Sequence, residues 1–179
     1  MKEAVFIVPG IGNSGPEHWQ SLWEREHPHW RRLVVDDWDR VECDDWVSAI
    51  DRQIGPHHAN TVIVAHSLGC LAVAHWAART NARVRGALLV AVPDPETPAF
   101  PKAAATGFAP LPSKRLVFAS VVVSSSNDPY GSEQYAQACA AAWGSDWVRA
   151  GARGHLNAQS GLGNWAEGLK LVEKLHAGK

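Results

Sequence analysis

Short apolar runs rich in branched residues alternate along the chain with longer segments of helical periodicity. Most of these runs are continuously hydrophobic, which is typical of strands buried on both faces of a sheet. The predicted strands are Ala4–Val8, Leu33–Val35, Thr61–Ala65, Gly86–Val92, Leu116–Val123 and Trp147–Ala150. The predicted helices are Pro16–His27, Asp44–Ile54, Leu68–Arg79, Ser132–Trp143 and Trp165–His176. This alternation predicts an α/β fold of three layers, α/β/α, with a mostly parallel central sheet of about six strands.

Two local signals refine this organisation. Ser14 and Glu17 have the spacing of a capping box, which predicts the start of the first helix. The stretch from Val92 to Lys114 contains six prolines and is predicted to be a long loop over the sheet edge. Because that stretch is too short to fold alone, residues 1–179 are expected to form a single domain.

Charge and cysteine content exclude several classes of function. Lys and Arg number 17 and Asp and Glu 18, so a net charge of -1 provides no long-range attraction for nucleic acid or anionic membranes. Three widely spaced cysteines form neither a zinc motif nor a disulfide framework. The apolar run near the N-terminus is too short for a signal peptide, and no segment approaches the roughly 18 apolar residues of a membrane span. We therefore expect a cytoplasmic protein without a metal.

A glycine-rich loop follows the first predicted strand. Gly10, Gly12 and Gly15 have the G-x-G-x-x-G spacing of a dinucleotide-binding loop, and Asp36 lies where a ribose-binding carboxylate would be expected. This pattern favours a nicotinamide-dependent reductase unless the rest of the chain explains the glycines differently.

The segment Ala65-His66-Ser67-Leu68-Gly69 joins a buried strand to an apolar helix. This is the context of a nucleophile elbow, in which small residues on either side of the serine let strand and helix approach closely. Ser67 would lie at the N-terminus of the helix, where the dipole favours negative charge, and the Leu68 amide would be available to an oxyanion. The simpler interpretation makes Ser67 an ordinary helix N-cap.

A serine nucleophile requires a base and a carboxylate, which in this fold follow in the order serine, acid, histidine. Among nine histidines, only His155 follows a late strand, in a loop with flanking glycines. Asp128 follows the strand before it and is the favoured acid, with Asp94 as the alternative. Each residue alone could be a turn residue, but their joint occurrence with Ser67 favours a Ser-His-Asp triad.

The same fold needs a second oxyanion donor from the loop after an early strand. Residues Gly10 to Asn13 occupy that place, and the Ile11 amide is the expected donor. The dinucleotide interpretation leaves the triad unexplained and must place the bulky His18 and Trp19 beside a pyrophosphate. We therefore assign the glycine loop to the oxyanion hole and expect no cofactor.

The motifs together resemble those of the small α/β-hydrolases of the retinoblastoma-binding-protein-nine and YdeN-like serine hydrolase family. The resemblance covers nearly the whole chain and is carried by "VPG" with a following "HW", "AHSLGC", "SSNDPY" and "GHLNAQSGLGNW". It implies a fold without a cap domain, with Ser67 as nucleophile, Asp128 as acid and His155 as base. The retinoblastoma-binding motif Leu-x-Cys-x-Glu has no counterpart here, so no specific protein partner is expected.

The predicted function is that of a serine hydrolase, similar to a carboxylesterase, acting on small esters or amides through an acyl-enzyme. Aromatic side chains are candidates for the substrate pocket: Trp19, Tyr130 and Trp165, with Phe100 or Phe108 from the proline-rich loop. The alternative is a non-catalytic protein-binding module on a hydrolase fold, since fold alone does not establish activity.

Overall fold

The computed structural model describes residues 4–54 and 58–178. Its elements are β1 (Ala4–Val8), α1 (Trp19–Glu26), β2 (Arg31–Arg32), β3 (Val41–Glu42), α2 (Cys43–Ile54), β4 (Thr61–His66), α3 (Leu68–Arg79), β5 (Gly86–Val90), β6 (Ala105–Thr106), β7 (Ala119–Ser124), α4 (Glu133–Trp143), β8 (Asp146–Arg149) and α5 (Ala166–Ala177). Two short 3₁₀ turns lie at His58–Asn60 and Ala158–Ser160.

Six parallel strands form the central sheet in the order β2-β1-β4-β5-β7-β8. In the middle of the sheet, Ile63 of β4 pairs with Phe6 of β1 on one side and Ala87 of β5 on the other. The predicted α/β class, with a parallel sheet of about six strands, is confirmed.

Helices cover both faces of this sheet because successive strand side chains point to opposite sides. In β1, Phe6 and Val8 pack into the core shared with α2, α3 and α4. Val5 and Ile7 pack into the second core, which includes side chains of α1 and α5. Continuous hydrophobicity in the strands therefore reflects two cores rather than one.

The position predicted for the second strand, Leu33–Val35, was wrong. Strand β2 begins two residues earlier, at Arg31. Arg31 and Arg32 pair with Phe6 and Ile7 of β1, and the Leu33 amide adds one further bond to the Ile7 carbonyl at 2.8 Å. Because β2 is the edge strand, its residues need not be apolar, and the hydrophobic run misplaced it.

The first helix begins later than the predicted capping box implied. His18 is the N-cap of α1, and its Nδ1 accepts a hydrogen bond from the Gln20 amide at 3.2 Å. Ser14 instead donates its hydroxyl proton to Gln20 Oε1 at 2.6 Å. The spacing of Ser14 and Glu17 was therefore not a helix start.

The proline-rich stretch from 92 to 114 is mostly loop, as the sequence predicts, but not entirely. It contains β6, which pairs with β3 in a separate two-stranded sheet. Its Phe108 carbonyl accepts a hydrogen bond of 3.0 Å from the Nε2–H of His75 in α3. The stretch connects the central strands β5 and β7, and it packs against the helical layer formed by α2 and α3.

The sheet order places several loops at one edge. Because all six strands are parallel, the loops after β1, β4, β7 and β8 leave the same edge of the sheet. The strand order reverses between β1 and β4, and in open α/β sheets ligands bind at that point. The glycine loop follows β1, and Ser67 follows β4.

Candidate active site

Ser67 occupies a sharp turn between β4 and α3. Its φ of 53° and ψ of -126° lie in a region that side chains of L residues rarely adopt. The Ser67 amide donates to the Val90 carbonyl at 2.9 Å, which anchors the turn to β5. A Cβ at Gly69 would lie 2.4 Å from the Val8 carbonyl oxygen, so only glycine permits this approach of helix to strand.

His155 lies in the loop after β8 and contacts both predicted partners. Its Nε2 is 2.7 Å from Ser67 Oγ, and its Nδ1 is 2.9 Å from each carboxylate oxygen of Asp128. An ionised carboxylate only accepts, so Nδ1 carries the proton and Nε2 is free to accept the serine proton. The three side chains are therefore connected by hydrogen bonds, although Ser67 and His155 are 88 positions apart in the sequence.

The predicted acid, Asp128, is buried and accepts from a second donor. The Asp128 side chain is 2% exposed, whereas that of His155 is 10% exposed. The Tyr130 amide donates to Asp128 Oδ1 at 2.9 Å, so the carboxylate orientation is set by backbone as well as by the imidazole. A buried carboxylate in this position would stabilise an imidazolium at His155.

The alternative acid, Asp94, lies beside the loop of Asp128, where its amide donates to the Tyr130 carbonyl at 2.9 Å, but among the hydrogen bonds of the described residues its carboxylate makes none to His155. Its carboxylate accepts from the Glu96 amide at 2.9 Å, which closes a turn after β5. Asp94 is thus a turn residue, as is common for aspartate before proline.

The glycine loop packs directly against the serine. A Cβ at Gly10 would lie 3.0 Å from Ser67 Cβ and 3.4 Å from Ser67 Oγ. Helix α1 begins at Trp19, four residues beyond Gly15, so the glycines do not open a helix as a dinucleotide-binding loop would. The close approach to Ser67, rather than to a pyrophosphate, explains the glycine at position 10.

Two backbone amides beside Ser67 are available to a ligand. Leu68 lies in the first turn of α3, where no preceding helical carbonyl can accept its proton. Among the hydrogen bonds of the described residues, the Ile11 amide donates to no protein acceptor. Ile11 and Leu68 both line the cavity in front of Ser67.

Two further histidines pack beside His155. The rings of His18 and His66 lie 4.7 Å apart, and those of His66 and His155 lie 5.0 Å apart. Burial lowers the pKa of His18 to about 4, and it lowers the pKa of His66 well below its ordinary value. Both rings are therefore neutral at pH 7, and the cluster holds no buried charge that would oppose an imidazolium at His155.

A cavity of about 570 Å³ opens in front of Ser67 and His155. One wall is apolar and includes Phe100 and Pro101 from the segment after β5. The lining also includes the amide side chains of Asn157 and Gln159. The lining contains neither carboxylate nor lysine nor arginine side chains, so this part of the described structure suits an uncharged ligand.

Two predicted pocket residues, Tyr130 and Phe100, line this cavity, but three others do not. Trp19 and Trp165 are buried in the core between α1 and α5, with ring centroids 5.0 Å apart. Phe108 is 1% exposed and packs in the other core. The interpretation of Trp19 and Trp165 as pocket residues was wrong because large aromatic side chains also fill the layer between sheet and helices.

Within residues 4–54 and 58–178, no cluster of three His, Cys, Asp or Glu side chains is arranged to hold a metal ion. None of the helices described there is long and apolar enough to cross a membrane.

Comparison with known families places this site in context. Residues 5–174 match the family model described as serine hydrolase. The chain belongs to the serine hydrolase family. It is therefore an enzyme of the hydrolase class. No curated protein sequence matches it.

Solved structures similar to this serine hydrolase include two related to YdeN. A protein described as a YdeN-like hydrolase, from Pectobacterium atrosepticum, is 33% identical, with a TM-score of 0.85 over 97% of this chain and 90% of that one. The ydeN gene product from Bacillus subtilis is 20% identical, with a TM-score of 0.74 over 99% and 100% of the two chains. The esterase domain of a Rhodothermus marinus protein shares the fold at 12% identity, with a TM-score of 0.68 over 98% and 87%.

Two residues at the site of this serine hydrolase were not predicted from the sequence. His66 is the clearest, because its ring Nε2 reaches the carbonyl of His155, 89 positions away. Asn127 is another, since its Oδ1 accepts from the Gly154 amide at 2.6 Å and joins the acid loop to the base loop. The available signal was adjacency: each lies one position from a predicted triad residue.

Proposed function

We propose that the protein hydrolyses small uncharged esters or amides through Ser67, His155 and Asp128. The observation that carries this proposal is the continuous contact from Ser67 Oγ to His155 Nε2 at 2.7 Å and from His155 Nδ1 to Asp128 at 2.9 Å. These distances are the nucleophile–base and base–orienter hydrogen bonds that acyl transfer requires.

The reaction follows from the direction of these hydrogen bonds. His155 Nε2 takes the hydroxyl proton as Ser67 Oγ attacks the substrate carbonyl, and Asp128 stabilises the resulting imidazolium. The amides of Leu68 and Ile11 are the proposed donors to the oxyanion of the tetrahedral intermediate. His155 then returns the proton to the leaving alcohol or amine. Water, activated by the same imidazole, hydrolyses the acyl-enzyme.

The cavity supports a substrate of modest size without charge. Its volume of about 570 Å³ falls within the range of small-molecule sites. The apolar wall at Phe100 and Pro101 would receive an acyl chain, and the amides of Asn157 and Gln159 would hydrogen-bond a polar group. We therefore expect acetyl and butyryl esters to be better substrates than long-chain esters.

The first test is covalent labelling with a fluorophosphonate, followed by mapping of the adduct. An adduct on Ser67 in the wild type, absent from Ser67→Ala and strongly reduced in His155→Ala, would support an activated nucleophile. Ser67→Ala should also lower kcat on p-nitrophenyl acetate about a millionfold. A folded protein that is not labelled would refute the proposal and favour the non-catalytic binding module.

A further inference from the structure

The loop that carries His155 is held by side chains on several sides. Its Arg153 amide donates to Ser125 Oγ at 2.9 Å, and its Gly154 amide donates to Asn127 Oδ1 at 2.6 Å. Both acceptors come from the segment after β7 that also carries Asp128. These contacts tie the base loop to the acid loop ahead of His155.

Two buried ring N–H groups hold the other half of the loop. His66 Nε2 lies 2.8 Å from the His155 carbonyl oxygen, and because a carbonyl only accepts, Nε2 carries the proton. Trp19 Nε1 donates to the Leu156 carbonyl at 2.8 Å. The carbonyls of the base and of the next residue are thus fixed from β4 and α1.

The loop needs such support because its backbone is strained. Leu156 has a φ of 49°, a value that side chains of L residues rarely adopt, and its side chain is completely buried. Such conformations persist only where surrounding contacts determine them. The carbonyl of His155 lies immediately before this strained residue, so the His66 hydrogen bond acts where the main chain is least free to relax.

We propose that His66 is a positioning residue, which holds the main chain of His155 through Nε2–H and so keeps the imidazole in line with Ser67 and Asp128. Asp128 orients the ring, but a ring can be oriented only if its Cα is held. His66 supplies that restraint and is the residue immediately before Ser67. The nucleophile and the base are therefore both held at the end of β4. This inference rests on the proposed function of His155 as the base.

His75 provides a matched control elsewhere in the fold. It is also buried, 7% exposed against 5% for His66, and its Nε2–H also donates to a carbonyl, that of Phe108, at 3.0 Å. The contact lies in the loop over α3, and His75 does not line the cavity in front of Ser67. Methionine at either position removes the donor while keeping a long apolar side chain.

The kinetic experiment compares His66→Met, His66→Gln and His75→Met. Misplacing a catalytic group by about 1 Å costs on the order of a hundredfold in rate, so His66→Met should lower kcat on p-nitrophenyl acetate at least about tenfold with little change in KM. His66→Gln, whose amide N–H can reach the same carbonyl, should restore kcat to within about threefold of the wild type. His75→Met should keep kcat per folded molecule. Equal kcat losses in both methionine variants, or no rescue by glutamine, would overturn the proposal.

A second measurement does not depend on turnover. Hydrogen–deuterium exchange of the segment 150–158 should be faster in His66→Met than in the wild type, and unchanged in His75→Met. If the wild type labels at Ser67 but exchange in this segment is the same in all variants, the positioning role of His66 fails while the proposed function stands. If the wild type does not label, the proposed function fails, and faster exchange in His66→Met would then support only the restraint on the loop.

Discussion

His18 couples the stability of this hydrolase to pH. His18 is 4% exposed, and the pKa of its imidazole is lowered to about 4, first by burial and then by the electrostatic effects of Arg32 and His155. In the unfolded chain it titrates near its ordinary value of 6.5. Below that value the unfolded state binds more protons than the folded state, so the free energy of unfolding falls as the pH decreases from 6.5 towards 4.

The size of the effect follows from the two pKa values. One pKa unit corresponds to about 1.4 kcal/mol, and the linkage relation between about pH 7.5 and pH 4.5 gives a loss of roughly 2 to 3 kcal/mol for His18 alone. Above pH 6.5 the contribution is fully present. His66, whose pKa is also lowered, adds to the loss in the wild type, so a variant is needed to isolate the share of His18.

His18→Asn isolates this share because asparagine is a favoured N-cap. Its side-chain oxygen can accept from the Gln20 amide as His18 Nδ1 does, but it does not titrate. Urea unfolding followed by tryptophan fluorescence at both pH values gives the pH-dependent loss for each protein. We expect the loss to be smaller in His18→Asn by roughly 2 to 3 kcal/mol. Equal losses in the two proteins would show that His18 is not held neutral in the folded state.

Three further predictions follow from the site. Asp128→Asn should lower kcat on p-nitrophenyl acetate about ten-thousandfold with little change in thermal stability, and a loss below tenfold would contradict its role as orienter. Gly69→Ala should lower the free energy of unfolding in urea by more than about 3 kcal/mol, because its Cβ would lie 2.4 Å from a backbone oxygen. Gly15→Ala is the control, because a Cβ at Gly15 meets nothing within 4 Å. Gly10→Ala should reduce kcat about tenfold to a hundredfold while leaving the fold intact, since the new methyl group would press on Ser67; unchanged kcat would place the loop away from the reacting serine.

Sequence patterns located the elements with strong local signals. Helix α3 begins and ends at the predicted residues, and β1 has its predicted bounds, because continuous apolar runs are required where a segment is buried on both sides. The order of Ser67, Asp128 and His155 was also readable, since each follows a strand that ends at the same edge of the sheet. Edge strand β2 was misplaced because an exposed edge imposes no such hydrophobic pattern.

What the sequence determined by itself is therefore the layer architecture and the residue types at the strand ends, because burial and tight turns constrain local composition. Tertiary structure alone decided which polar groups meet. The contact of His66 with the His155 carbonyl spans 89 positions, and that of Trp19 with the Leu156 carbonyl spans 137. Nothing local distinguishes a tryptophan that fills the core from one that also donates to a loop. Those roles arise only when distant strands and helices are packed together, because a hydrogen bond depends on distance and direction in space rather than on neighbours in the chain.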